Sequence, residues 1–147
     1  MIDIQCELPD HNPPTEEIRE ILNQCKTIAI VGLSPKEQRD SNMVARYLKE
    51  NGFKIVPVNP GQKEILGEKC YKNLLEIPFQ PDMVNLFLNS KRVPEAVDQA
   101  IEIKTDVIWM QLGVVHNQAA AKARENGIQV IMNKCIKIEH ERMEMVG

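Results

Sequence analysis

Two rhythms of apolar residues divide the chain. Five short runs are apolar without strict alternation, at Thr27–Val31, 53–58, 83–88, Val107–Met110 and 128–132. Runs of that length and texture predict strands covered on both faces, as in a parallel sheet. Between them the apolar positions follow the helical period. Ile18, Ile21, Leu22 and Cys25 form one stripe, then Val44, Ala45 and Leu48, then Val93, Ala96, Val97, Ala100 and Ile101. An Ala-rich segment at 116–126, stopped by Gly127, predicts a further helix. Thr15 is expected to cap the first helix, with Glu16 and Glu17 near its positive end, and Asp40 or Ser41 the second. Residues 61–81 are less regular, with a short strand expected near Cys70-Tyr71 and a helical turn over 73–77.

Alternation of strand and helix, with connections too long for hairpins, requires parallel strands joined by right-handed crossovers. The expected architecture is α/β: an open, doubly wound, mostly parallel sheet with helices on both faces. At 147 residues the chain suits a single domain, read here as residues 15–140 between a Pro-rich lead (1–14) and a tail (141–147). A net charge of −3 and the lack of dense Lys and Arg runs argue against nucleic acid as a partner. The apolar runs are far shorter than the roughly 20 residues of a membrane span, and Met1 to Gln5 carry no secretory pattern. The expected location is the cytoplasm. Cys6, Cys25, Cys70 and Cys135 form no C-x-x-C pair, so reduced thiols are expected, mostly buried.

In a doubly wound sheet the ligand crevice opens at the carboxyl ends of the strands where strand order reverses, which points to the loop after the first strand. That loop runs from Gly32 to Asn42 and contains Ser34, Lys36, Arg39 and Ser41. Backbone amides, the following helix and two cations all favour phosphate there. Ser34 and Glu37 occupy the second and third glycine positions of the dinucleotide fingerprint, so that motif is absent. No Asp or Glu occurs between Gly52 and Asn59, where a carboxylate would hold the ribose of NAD. The residues thus favour a ligand read through phosphate, and NADP and coenzyme A both meet that requirement.

Several blocks carry a more specific signal: Ile30-Val31-Gly32-Leu33-Ser34-Pro35, Pro57-Val58-Asn59-Pro60, Gly67-Glu68-Lys69, Trp109-Met110-Gln111-Leu112-Gly113 and Cys135-Ile136-Lys137-Ile138-Glu139-His140. In order and spacing, from about Thr15 to His140, the chain resembles the small stand-alone CoA-binding proteins, similar to the CoA-binding domain of the succinyl-CoA synthetase alpha subunit. The resemblance implies a Rossmann-like fold with coenzyme A or an acyl-CoA as ligand. It implies that the diphosphate and 3′-phosphate lie against Gly32, Ser34, Lys36, Arg39 and Ser41, and that Val58, Asn59 and Pro60 flank the adenosine. Phe87, Asn89, Ser90, Arg92, Gln111, Leu112 and Gly113 would line the rest of the crevice. One departure is Asn133-Lys134, where the family pattern has Asp and Arg before Cys135.

Cys135, beside Lys134 and Lys137, is a candidate thiolate for exchange with the ligand's thiol, against a structural reading as a half-buried cysteine. His11, His116 and His140 share no metal-ligand spacing, and no nucleophile, base and oxyanion site can be assembled. Gln111 and Asn117 are candidates for bonding the amides of a pantetheine arm, and Asn117 also for a helix cap. Trp109 and Tyr47 are expected to pack rather than stack on a ligand. No catalytic residue and no metal site are expected, so the chain reads as a binding module, with exposed apolar helix faces that would support a homodimer. The alternatives are an NADP-dependent oxidoreductase and a CoA-sensing partner of a larger ligase.

Overall fold

A computed structural model describes residues 7–146, so Cys6 and the signal reading at 1–5 lie outside the described residues. The first helix, α1 (Thr15–Gln24), buries Ile18, Ile21 and Leu22. Its cap is Pro14 in an extended conformation, whose carbonyl accepts from the amides of Glu17 and Ile18. Thr15 is the first helical residue and caps nothing, because the proline fixes the turn into the helix one position earlier.

There follow β1 (Thr27–Val31), α2 (Asp40–Glu50) and β2 (Lys54–Val58). A small antiparallel hairpin comes next, β3 (Glu64–Ile65) with β4 (Glu68–Lys69), turning on Leu66 and Gly67, both at positive φ as a tight primed turn requires. The main alternation resumes with β5 (Met83–Leu86), α3 (Val93–Glu102), β6 (Val107–Met110), α4 (Asn117–Glu125), β7 (Gln129–Ile131) and α5 (Ile136–Val146).

The five principal strands form one parallel sheet in the order β2-β1-β5-β6-β7. Tyr71 adds a single parallel rung outside β2, opposite Val58, its amide donating to Pro57 O at 3.0 Å and its carbonyl accepting from Asn59 N at 2.9 Å. Counted as a strand, that rung gives the Rossmann order 3-2-1-4-5-6, with the reversal between β1 and β5. The fold is therefore a Rossmann-like α/β domain, as the pattern predicted. The expected strand near Cys70-Tyr71 is this one rung, and the expected helical turn is a 3₁₀ turn at Leu74–Glu76.

Two apolar layers hold the sheet. One face packs Val84, Leu86, Ile108 and Met110 under α3 and α4. The other packs Ile28, Ile30, Met83 and Trp109 under α1, α2 and α5. Trp109 is fully buried and donates Nε1–H to Lys134 O at 2.8 Å, a packing residue as expected. Cys25 and Cys70 are buried free thiols and Cys135 is half-buried.

Three further helices differ from the sequence pattern. Helix α2 has Arg39 at its cap with no side-chain bond, so neither Asp40 nor Ser41, both inside the helix, caps it; the Ser41 hydroxyl accepts instead from Ser34 N. Helix α5 continues unbroken past position 140, where a tail was expected. The cap of α4 is His116, whose Nδ1 accepts from Ala119 N at 3.1 Å. Asn117 is thereby free to accept from Asp10 N at 2.8 Å and to bond Glu7. The lead is also fastened by Asn12, whose amide exchanges two hydrogen bonds with the backbone of Met132, at 2.9 and 2.7 Å. Among the described residues, no helix is long and apolar enough to cross a membrane.

Candidate functional site

At the reversal point the loops after β1 and β5 meet at Gly32. Its φ is +83°, and a Cβ there would stand 2.1 Å from Phe87 O, closer than any side chain permits. Glycine is thus required twice over, for the left-handed backbone and for the approach of the neighbouring strand. Gly32 N donates to Val58 O at 3.0 Å, and Asn59 Nδ2 donates to Leu33 O at 2.9 Å, so the ends of β1 and β2 are fastened together.

The loop between Gly32 and α2 is organised by its own side chains. Ser34 N donates to Ser41 Oγ at 3.0 Å and Lys36 N to Ser34 Oγ at 3.1 Å. The nearly fully buried Asn42 donates Nδ2–H to Ser34 O at 2.8 Å and accepts from Arg46 Nε at 3.0 Å. Arg46 also donates to Glu37 O at 2.8 Å. These bonds take up the amides of residues 32, 34 and 36, so those loop amides are not open to an anion as the sequence pattern expects. The amides of Asp40 and Ser41, first in α2, have no intrahelical acceptor by position and face the loop with the helix dipole behind them.

Two grooves open on either side of Gly32 and Leu88. One, of about 330 Å³, is lined by Ser34, Arg39, Asp40, Ser41 and Phe87. The other, of about 460 Å³, is lined by Val58, Asn59, Pro60, Arg92 and, beyond the residues singled out from sequence, Lys72, Asn73, Glu95 and Gln99. Of the sequence-predicted set, Gly32, Ser34, Arg39, Ser41, Val58, Asn59, Pro60, Phe87 and Arg92 come together around this double crevice.

The other candidates, Lys36, Asn89, Ser90, Gln111, Leu112, Gly113 and Cys135, do not line either groove. Lys36 is exposed on the loop. Gln111 is buried and its Nε2 has no hydrogen-bond partner among the described residues. Gly113, at φ +84°, donates its amide to Asn133 Oδ1 at 2.7 Å. Asn133, itself at φ +60°, therefore supplies with an amide oxygen the acceptor that an aspartate would offer, in a backbone conformation both residues tolerate. Cys135 packs half-buried against the layer beneath α1, α2 and α5. Asn89 caps a short 3₁₀ turn by accepting from Lys91 N at 3.0 Å, which orients Arg92 at the start of α3.

Lys72, Asn42 and Arg46 were missed. Lys72 follows the weak Tyr71 rung, and the strand-end rule applied there would have found it. The roles of Asn42 and Arg46 lie in contacts back to the loop, which no periodicity signals.

A doubly wound α/β domain with an open crevice at its switch point is the class that fold and site define. The chain belongs to the CoA-binding domain family, whose model matches residues 26–141. It is 41% identical over 129 residues to the uncharacterized protein YneT of Bacillus subtilis (strain 168), covering 88% of this chain and 96% of YneT. It is 30% identical over 128 residues to the alpha subunit of the ADP-forming acetate–CoA ligase I of Pyrococcus furiosus, covering 76% of this chain but only 28% of that subunit. Among solved structures, a protein from Pyrococcus horikoshii OT3 described as hypothetical superposes with a TM-score of 0.89 at 42% identity, covering 98% of this chain and 99% of that one.

Proposed function

We propose that this protein binds coenzyme A or an acyl-CoA in the double crevice, as a binding module with no catalytic residue of its own. The diphosphate lies over the first turn of α2 beside Ser34, Arg39 and Ser41. The adenosine lies in the groove bounded by Val58, Asn59 and Pro60. The carrying observation is Gly32, where a missing side chain lets the β1 and β5 loops close on each other while a groove stays open on each side. Family membership and the alignment to an acetate–CoA ligase subunit support coenzyme A over other phosphate-bearing nucleotides.

Calorimetry with CoA, dephospho-CoA, NADP and NAD tests the reading. CoA is expected to bind tightest, and Arg39→Ala to weaken it about tenfold, in the range of a charge-assisted contact to phosphate. NADP binding above CoA would overturn the proposal.

A further inference from the structure

The larger groove holds two cations that the β1 loop does not supply. Lys72 leaves the chain at the carboxyl end of the Tyr71 rung, held there by the bonds of Tyr71 to Pro57 and Asn59. Arg92 enters from the opposite wall, from the turn after β5. The salt bridges among the described residues pair other groups, Lys49 with Glu68, Lys122 with Asp98, Arg142 with Glu139 and His140 with Glu144. Lys72 and Arg92 are both exposed, and within the groove they face a single carboxylate, Glu95. The balance favours an anion. Beside them the Oδ1 of Asn73 is shielded from solvent and has no hydrogen-bond partner among the described residues, an acceptor left open to a donor in the groove.

Building on the proposed function, we infer that Lys72, assisted by Arg92, is the specificity-determining contact for the ribose 3′-phosphate of the ligand. This seat is separate from the diphosphate seat at Arg39 and the start of α2. The chemistry of the ligand requires such a division. Its ribose carries a diphosphate on the 5′ carbon and a monophosphate on the 3′ carbon, with the sugar ring between them. The two grooves share Gly32 and Leu88 as their common wall and carry cations on either side of it. A ribose at that wall directs one anionic group into each groove. A single loop holding both would have to draw them towards the same few cations, against their mutual repulsion.

The test is calorimetry of the full chain with CoA and dephospho-CoA, comparing the unaltered protein with Lys72→Ala and Arg39→Ala. Lys72→Ala is expected to lower CoA affinity about five- to tenfold. Its affinity for dephospho-CoA should match that of the unaltered protein, so the preference for the 3′-phosphate shrinks to what Arg92 alone supports. Arg39→Ala is expected to weaken both ligands by a similar factor and keep the preference. The inference is overturned if Lys72→Ala weakens both ligands equally or neither, or if Arg39→Ala is the change that abolishes the preference. Absence of CoA binding to the unaltered chain overturns the proposed function along with it, whereas a failure confined to the Lys72 variant leaves that function standing.

Discussion

At the carboxyl end of the sheet, Arg39, Lys72 and Arg92 line two open grooves, while at the amino end a groove of nearly the same size as the smaller one, about 320 Å³, is lined by Asp82, Asp106, Cys25 and Gly127. Volume does not separate that groove from the smaller one at the carboxyl end. Charge and hydrogen bonding do. Asp82 Oδ2 accepts from the amides of Lys26 and Thr27 at 2.8 and 2.9 Å, so its carboxylate closes off the start of β1. Burial, reinforced by Asp82 and then Asp106, pushes the Cys25 thiol up to about 12. An environment that disfavours a thiolate also disfavours a phosphate. Among the described residues, the lining of the carboxyl end is the more favourable to an anion, and the difference is made by a few side chains on loops.

The contrast is most easily broken at its glycines. Gly32 and Gly127 both sit at positive φ, at +83° and +80°, but a Cβ at Gly127 meets nothing within 4 Å. Gly32→Ala is expected to cost about 3–4 kcal/mol, combining left-handed strain with a backbone clash, and Gly127→Ala about 1 kcal/mol from strain alone. Urea midpoints of the two variants measure the difference, and equal shifts would refute the account of Gly32. Next in size is Asp82→Ala. It should lower stability by about 1–2 kcal/mol through two abandoned amides while leaving CoA affinity unchanged. A loss of CoA binding in that variant would erase the distinction between the ends.

The amino end also carries a pH dependence. The Cys25 thiol titrates at about 12 in the folded chain, against 9.0 for an unperturbed cysteine. The unfolded chain therefore loses this proton first as pH rises. The contribution is intact below about pH 9 and is lost progressively towards pH 12. Unfolding midpoints at pH 8 and pH 10.5 should fall further for the unaltered chain than for Cys25→Ala.

Much of this was legible in sequence because burial on both faces leaves a plain mark. All five principal strands fall inside their apolar runs, and the stripes of α1, α2 and α3 face the sheet as read. Helix α5 was not legible because its inward positions, Ile136, His140 and Met143, put a histidine where the apolar stripe should continue. That histidine is buried through a 2.6 Å hydrogen bond to Tyr47, a partner 93 residues away. The glycine turn was legible from Gly32 and its place after a strand. The division of the crevice was not, since Lys72 reaches it only through a one-residue rung, and the internal bonding of Ser34, Ser41 and Asn42 depends on how the loop folds back on α2.

The one-residue rung at Tyr71 and the clasp of Asn12 on Met132 have a consequence for association. A parallel sheet ends in two rows of amides and carbonyls that can recruit a neighbouring chain. Along β2, Pro57 offers no N–H and its carbonyl is already occupied by Tyr71, while just past β7 the amide side chain of Asn12 satisfies both backbone groups of Met132. Both flanks of the layer are thereby stoppered at their carboxyl ends, and a second molecule finds no ladder there on which to extend the sheet.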